Sequence, residues 1–168
     1  MTDPARAGDS RWGLTARAWR TALLASVIAE AEGADPARAA LLSVWHDTGE
    51  RRTGDLAHIS RKYVGKGDAV ANVADQSKGM PAGLGALMRS IVGEYEARGT
   101  PEAVCAGDAD KLECLVQAIE YRDQGYANVD RWIVNSQKRI RTESARRIAA
   151  ELLETGSLDW LREAMGES

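Results

Sequence analysis

The sequence of 168 residues has no phenylalanine and only two cysteines. Cys105 and Cys114 lie nine residues apart in one predicted helix, which separates them by about 13 Å along the axis. A disulfide needs Cα atoms within about 7 Å, so this pair is not bridged, and the spacing matches no common zinc site. The sequence therefore is not a disulfide-stapled domain, and two unpaired thiols are typical of a reducing, cytoplasmic setting.

Long apolar runs are also missing. The longest is Ala22 to Ala29, interrupted by Ser26, whereas a membrane-spanning helix needs about 20 residues. The first eleven residues hold four charged side chains and no apolar core, so no secretory signal is visible. We therefore expect no membrane partner.

Positive charge is not in excess either. The net charge is −3, and the sequence pI is about 5.5. This balance argues against a broad electrostatic grip on nucleic acid, and we expect no nucleic-acid partner. The basic stretch from Lys138 to Arg147, which includes Arg139, Arg141 and Arg146, is predicted to be a solvated helix face.

What is plentiful is helix-forming sequence, with 44% apolar and 28% charged residues. Asp35-Pro36 and Thr100-Pro101-Glu102 each combine a capping residue with a proline at the first helical position. Apolar residues recur at spacings of three and four. The pattern predicts a single all-α domain over residues 14–168, after a short N-terminal segment over residues 1–13. The predicted helices cover 14–32, 36–49, a segment starting near 69, 84–95, 101–125, 129–139, 143–153 and 158–165.

The apolar spacing also predicts which helix faces are buried. The first helix is expected to bury Leu23, Leu24, Val27 and Ile28. The second helix is expected to bury Ala40, Leu41, Val44 and Trp45.

A first group of residues that can carry chemistry follows the second helix. His46-Asp47 is followed by Glu50 and then by Gly54-Asp55. Spacings of three and four let His46, Asp47 and Glu50 project from one helix turn. An imidazole beside a carboxylate is a metal-ligand pair suited to a transition metal, and Glu50 could activate a water instead of binding the ion.

A second acidic group lies at Asp108-Ala109-Asp110-Lys111-Leu112-Glu113. Asp110 and Glu113 share one face of a helix that otherwise buries leucines. An aspartate there needs a partner, and either a metal or an arginine would serve. Asp110 could also form only a structural ion pair with Lys111 or Arg17.

These motifs carry a family resemblance. His46-Asp47-Thr48-Gly49-Glu50 to Gly54-Asp55, and Asp108 to Gln117 followed by Ala118-Ile119-Glu120-Tyr121, resemble the HD-domain metal-dependent phosphohydrolases. Gly93-Glu94-Tyr95-Glu96 and Thr100-Pro101-Glu102-Ala103 are similar to the branch of small 5′-deoxynucleotidases. The resemblance implies an all-α HD-domain bundle, often a homodimer, with a divalent transition metal such as Mn, Co, Fe or Zn.

The resemblance also implies roles for single residues. His46 and Asp47 would be paired metal ligands, and Asp110 the distal ligand. Glu50 would be the base for the attacking water, and Asp55 would lie near the sugar or base of a nucleoside monophosphate.

One departure from the family pattern concerns the first metal ligand, a histidine in the first helix. The corresponding stretch here is Ala16-Arg17-Ala18-Trp19-Arg20, so Arg17 stands where the histidine would be. Arginine stays protonated and cannot coordinate a metal.

Four residues are candidates for contact with a substrate. Arg17 could face a phosphate. His58 could be a surrogate ligand, a phosphate contact or a loop histidine without a role. Lys62 could approach a phosphate or be an ordinary surface lysine. Trp19 is expected in the core or at a pocket wall.

Two functions follow from this. The first is a phosphohydrolase that cleaves a nucleoside 5′-monophosphate or a similar small phosphate with an atypical metal site. The second is a repurposed HD domain without a metal, in which Arg17 supplies the positive charge for a small anionic molecule. A non-catalytic scaffold is a third, blander class.

Overall fold

The computed structural model describes residues 11–54, 62–65, 67–156 and 163–166. Within these ranges the fold is all-α, and no strand is found. Eight helices in the described part of the chain are α1 (Arg11–Glu32), α2 (Pro36–Trp45), α3 (Glu50–Thr53), α4 (Ala69–Gln76), α5 (Ala82–Ala97), α6 (Pro101–Asp123), α7 (Asp130–Gln137) and α8 (Glu143–Thr155). The predicted all-α fold class is confirmed.

Capping side chains start the helices where the sequence predicts. The Asp35 carboxylate accepts hydrogen bonds from the amides of Ala37 and Arg38 at 2.9 and 3.1 Å, with Pro36 at the first helical position. Thr100 caps α6 in the same way, ahead of Pro101. These caps satisfy amides that have no partner inside the helix, and so they set the helix starts.

The long helix α6 is the centre of the domain. It packs against α1, α2, α5, α7 and α8, while α4 packs against α5. The largest core cluster joins α1, α2, α6, α7 and α8, and it includes the fully buried Ile28, Leu112, Leu115 and Ile119. Because α6 contacts five other helices, residues along it can meet side chains from distant parts of the sequence.

The buried face of α2 differs from the predicted one. Leu41 and Val44 are 36% and 53% exposed, whereas Leu42 is fully buried against Ile91 and Tyr95 of α5. Two leucines are adjacent here, so the helical period alone fits either face. Packing against α5 decides which leucine is inside.

The buried stripe of α1 is also displaced from the predicted one. Leu23 and Val27 are 49% and 57% exposed, whereas Ala25, Ile28 and Ala29 are fully buried. Small alanines let α1 approach its neighbours closely, so the contact line passes beside the larger residues.

Both cysteines lie in α6 as predicted, and both are free. Burial raises the pKa of the Cys105 and Cys114 thiols to about 11, so neither is a thiolate at neutral pH. No described helix combines the length and the hydropathy that a membrane crossing requires. The predicted C-terminal helix over 158–165 lies largely outside the described residues.

Candidate functional site

A tight turn between α2 and α3 presents the first site residues. Helix α2 ends at Trp45, earlier than predicted, and the amide of Thr48 donates to the Trp45 carbonyl at 3.1 Å. The amide of Glu50 donates to the Asp47 carbonyl at 3.0 Å. Both bonds span three residues, which is the tighter 3₁₀ pattern. His46 keeps helical backbone angles at the start of this turn, and the turn separates its position from that of Glu50.

His46 is buried between two carboxylates, with 6% of its side chain exposed. Its Nδ1 lies 2.6 Å from the Ser43 carbonyl, and its ring centroid lies 4.8 Å from that of Tyr95. Its Nε2 lies 2.9 Å from Asp47 Oδ2 and 3.7 Å from Asp110 Oδ1. Among the described side chains none is aligned for a hydrogen bond with Nε2, so these are ionic contacts. The turn thus holds the imidazole with Nε2 directed at two carboxylates.

Neighbouring charges shift the pKa values of His46 and Asp110 in opposite directions. Burial lowers the pKa of His46, but Asp110 and Asp47 outweigh this effect and raise it to about 10. Burial raises the pKa of Asp110, but His46 and Lys111 outweigh this effect and hold it well below its usual range. Lys111 Nζ lies 2.5 Å from Asp110 Oδ2. The carboxylates thus favour the protonated imidazole, and the neighbouring cations favour the ionised aspartate.

Two arginines of α1 form an ion-pair chain with α6. Arg17 Nε donates to Glu113 Oε2 at 3.1 Å, and Arg20 Nη2 donates to Glu113 Oε1 at 2.8 Å. Arg20 Nη1 also donates to Glu120 at 2.7 Å. Arg17 Nη2 lies 3.9 Å from Asp110 Oδ1, so this chain adjoins the histidine cluster. Glu113 is fully buried, and two guanidinium groups satisfy its charge.

The predicted metal ligands His46, Asp47 and Asp110 lie together, but two cations contact one of them. Within the described part of the chain, no group of three or more His, Cys, Asp or Glu side chains is placed to hold one. His46, Asp47 and Asp110 are suitable donor types, but Lys111 and Arg17 already lie against Asp110. A metal bound there would compete with these two cations for the Asp110 oxygens.

A cavity of about 300 Å³ lies beside the ion-pair chain, between α1 and α6. Its lining residues are Ala16, Arg17, Trp19, Arg20, Gln117 and Glu120. Trp19 is 66% exposed at this cavity, so it is a wall residue and not a core residue. The cavity places an aromatic surface and two guanidinium groups around a space large enough for a small molecule.

The remaining predicted site residues are only partly described. Glu50 opens α3, and its side chain is half-buried. Asp55 and His58 lie outside the described residues. Lys62 is exposed, with Nζ 5.9 Å from the ring centroid of Tyr63, and it makes no ion pair with the carboxylates described above.

Three residues of the site were given no role by the sequence analysis. These are Arg20, Tyr95 and Glu113. One signal was present, since two arginines three apart on α1 and two glutamates seven apart on α6 each share a helix face. That signal becomes specific only when the two helices are known to pack together.

Comparisons with known proteins agree with this architecture. The family model described as HD domain matches residues 17–152. The crystal structure of a structural-genomics target is 26% identical, with a TM-score of 0.62 over 86% of this chain and 78% of that chain. A conserved hypothetical protein from Pyrococcus furiosus is 22% identical, with a TM-score of 0.66 over 83% of this chain and 82% of that one. A protein from Pyrococcus horikoshii OT3 is 21% identical, with a TM-score of 0.65 over 83% of this chain and 80% of that one. A search of curated proteins found no match.

Proposed function

The chain belongs to the HD domain family, a family of metal-dependent hydrolases, and we propose that its pocket uses Arg17 in place of the metal charge to take a small phosphorylated or other anionic molecule. The observation that carries this proposal is the position of Arg17, between the carboxylates of Glu113 and Asp110. A fixed guanidinium there supplies positive charge permanently. It also opposes the binding of a divalent ion.

The cavity beside Arg17 supports the same proposal. Arg17 and Arg20 both line it, and their side chains are 25% and 30% exposed. Guanidinium groups pair with phosphate and carboxylate oxygens through charge-assisted hydrogen bonds. Trp19 at the wall offers an apolar face to the rest of the ligand. The ligand class is therefore a small anion with an apolar or aromatic part, for which a nucleoside monophosphate is a suitable probe.

A second candidate is the metal-dependent phosphomonoesterase that the resemblance to the 5′-deoxynucleotidase branch implies. The bond between His46 Nδ1 and the Ser43 carbonyl favours it, because it directs Nε2 at two carboxylates as in a metal-binding histidine. In this candidate His46, Asp47 and Asp110 would hold the metal. Its chemistry would be hydrolysis of a nucleoside 5′-monophosphate.

The second candidate also keeps the other predicted roles as proposals. Glu50 would be the base, and Asp55 would lie near the sugar or base. His58 and Lys62 would contact the substrate. A homodimer and a cytoplasmic location stay predictions for both candidates.

Metal content of matched variants decides between the candidates. Wild type, Arg17→His and Arg20→His are dialysed identically against Mn²⁺ or Co²⁺, desalted and measured by elemental analysis. Arg20→His is the control because Arg20 pairs with Glu113 and Glu120 and makes no ion pair with Asp110. We expect little metal in wild type and in Arg20→His, and a strong gain in Arg17→His, which removes the competing cation and adds a ligand.

Ligand binding completes the test. In EDTA, calorimetric titration with a nucleoside 5′-monophosphate is expected to show binding by wild type and its loss in Arg17→Gln. Full metal occupancy of wild type, together with metal-dependent phosphate release, would overturn the metal-free proposal in favour of the second candidate. A wild-type protein that contains no metal, binds no nucleotide and hydrolyses none would contradict both candidates.

A further inference from the structure

A second cavity of about 470 Å³ lies at the other side of α6, against the loop between α7 and α8. Six of its lining residues are cationic: Arg98, Lys111, Lys138, Arg139, Arg141 and Arg146. In a chain with a net charge of −3, this is a strong local concentration of positive charge. A concave wall with charge of one sign focuses the electrostatic potential on its interior.

The acid among the lining residues forms no ion pair with these cations. Asp108 is 2% exposed, and its carboxylate accepts hydrogen bonds from the amide of Arg141 at 3.0 and 3.1 Å. It also accepts from the amide and the hydroxyl of Thr142, at 2.6 and 2.8 Å. The carboxylate oxygens of Asp108 therefore accept hydrogen bonds from two backbone amides and one hydroxyl of the loop. In doing so they fix the loop that carries the basic residues onto α6.

Arg98 is held in the wall by the local packing. Its Nη1 donates to the Ala103 carbonyl at 2.7 Å, and its guanidinium carbon lies 3.8 Å from the ring centroid of Tyr95. Gly107 makes the space for this guanidinium, because a Cβ added at Gly107 would overlap it. The position of this cation is thus set before any ligand arrives.

Lys111 is paired with Asp110, but the four remaining cations are exposed. Lys138, Arg139, Arg141 and Arg146 are all exposed, and no acidic side chain of the described ranges forms an ion pair with any of them. The predicted solvated helix face is wrong for Lys138, Arg139 and Arg141, which lie in the loop between α7 and α8 and surround a cavity. Like charges brought together repel each other, and a bound anion of several charges would relieve that repulsion.

We propose that this cavity is a binding site for a polyphosphate group, as carried by inorganic tripolyphosphate or a nucleoside triphosphate. Arginine forks pair with phosphate oxygens, and the volume falls in the range of small-molecule sites. The proposal does not depend on the Arg17 pocket, because the two cavities share no lining residue. Lys111 lines the second cavity and also contacts Asp110. Lys111 is therefore left unchanged in the test.

Tripolyphosphate is the probe, titrated calorimetrically into the full chain at low ionic strength in EDTA. Wild type is expected to bind one tripolyphosphate per chain. Arg141→Gln and Arg146→Gln are each expected to weaken binding about tenfold, the effect of one charged hydrogen bond. Arg147→Gln is the matched control, because Arg147 is exposed on the same helix as Arg146 but does not line the cavity.

Two further variants locate the site. Gly107→Ala is expected to displace the flexible end of Arg98 and weaken binding while the helical circular dichroism stays unchanged. Arg17→Gln is expected to leave tripolyphosphate binding unchanged, which separates this site from the proposed Arg17 pocket. ATP and tripolyphosphate binding equally would assign the site to the phosphate chain, and tighter binding of ATP would add a nucleoside contact to it.

Four results would overturn the proposal. They are no saturable binding of tripolyphosphate, an equal loss in Arg147→Gln, a loss in Arg17→Gln, and orthophosphate or a single-stranded oligonucleotide binding more tightly than tripolyphosphate.

Discussion

Replacement of the buried Glu113 by glutamine tests the ion-pair chain between α1 and α6. The carboxylate is fully buried and accepts one bond from Arg17 and one from Arg20. The amide of glutamine keeps the shape but carries no charge and only one acceptor oxygen. Glu113→Gln therefore loses an accepted hydrogen bond and leaves two neighbouring guanidinium groups without their shared anion.

The expected loss in the free energy of unfolding follows from the burial of Glu113 and of its two arginine partners. Removing one partner of a buried ion pair typically costs about 3–5 kcal/mol. Here the arginine side chains are 25% and 30% exposed, so water can stabilise them in part. We therefore expect a loss of about 2–3 kcal/mol in the free energy of unfolding. For a chain of this size that corresponds to a fall in Tm of about 4–12 °C.

Urea denaturation followed by helical circular dichroism measures this loss, as a fall of about 1 M in the midpoint. The control is Glu120→Gln, because Glu120 is 29% exposed and pairs with Arg20 alone. Water reaches both side chains of this pair, and a pair near the surface contributes about 1 kcal/mol or less. If Glu113→Gln costs no more than Glu120→Gln, the buried carboxylate does not hold α1 against α6 and the argument for a fixed Arg17 fails.

Two other predictions concern carboxylates with different tasks. Asp108 accepts hydrogen bonds from backbone amides, and Asp108→Asn would turn a donor NH₂ group toward these donors. We therefore expect a loss of about 1–3 kcal/mol in the free energy of unfolding measured by urea denaturation. Asp75→Asn, at an exposed side chain, is expected to leave the urea midpoint unchanged. The hydrogen bond from Arg38 lowers the pKa of Glu94 in the folded protein. The pair therefore stabilises the fold above the pKa of an unfolded glutamate, about 4.3. This stabilisation is lost as the pH falls through the folded-state pKa of Glu94. The stability difference between wild type and Arg38→Gln should therefore be present at pH 7 and shrink in acid, and a difference that is the same at pH 7 and pH 3 would contradict it.

The helices and their caps could be predicted because their causes are local. Asp35 before Pro36 and Thr100 before Pro101 place the cap and the following amides within three residues, and both helices start there. The pairing of His46 with Asp47 is equally local. Which leucine of α2 is buried could not be predicted, because Leu41 and Leu42 are adjacent and only the contact with α5 distinguishes them.

The sequence alone determined the all-α architecture, the types of residue at the site and the arginine at position 17. The tertiary structure decided what that arginine does, since Arg17 and Glu113 are 96 residues apart and meet only because α1 packs on α6. The basic residues after Ser136 surround a cavity only in the tertiary structure, because Asp108 bonds to a loop 33 residues further along the chain. Local spacing governs hydrogen bonds within a helix turn, whereas charge neutralisation and cavities depend on which helices are neighbours in space.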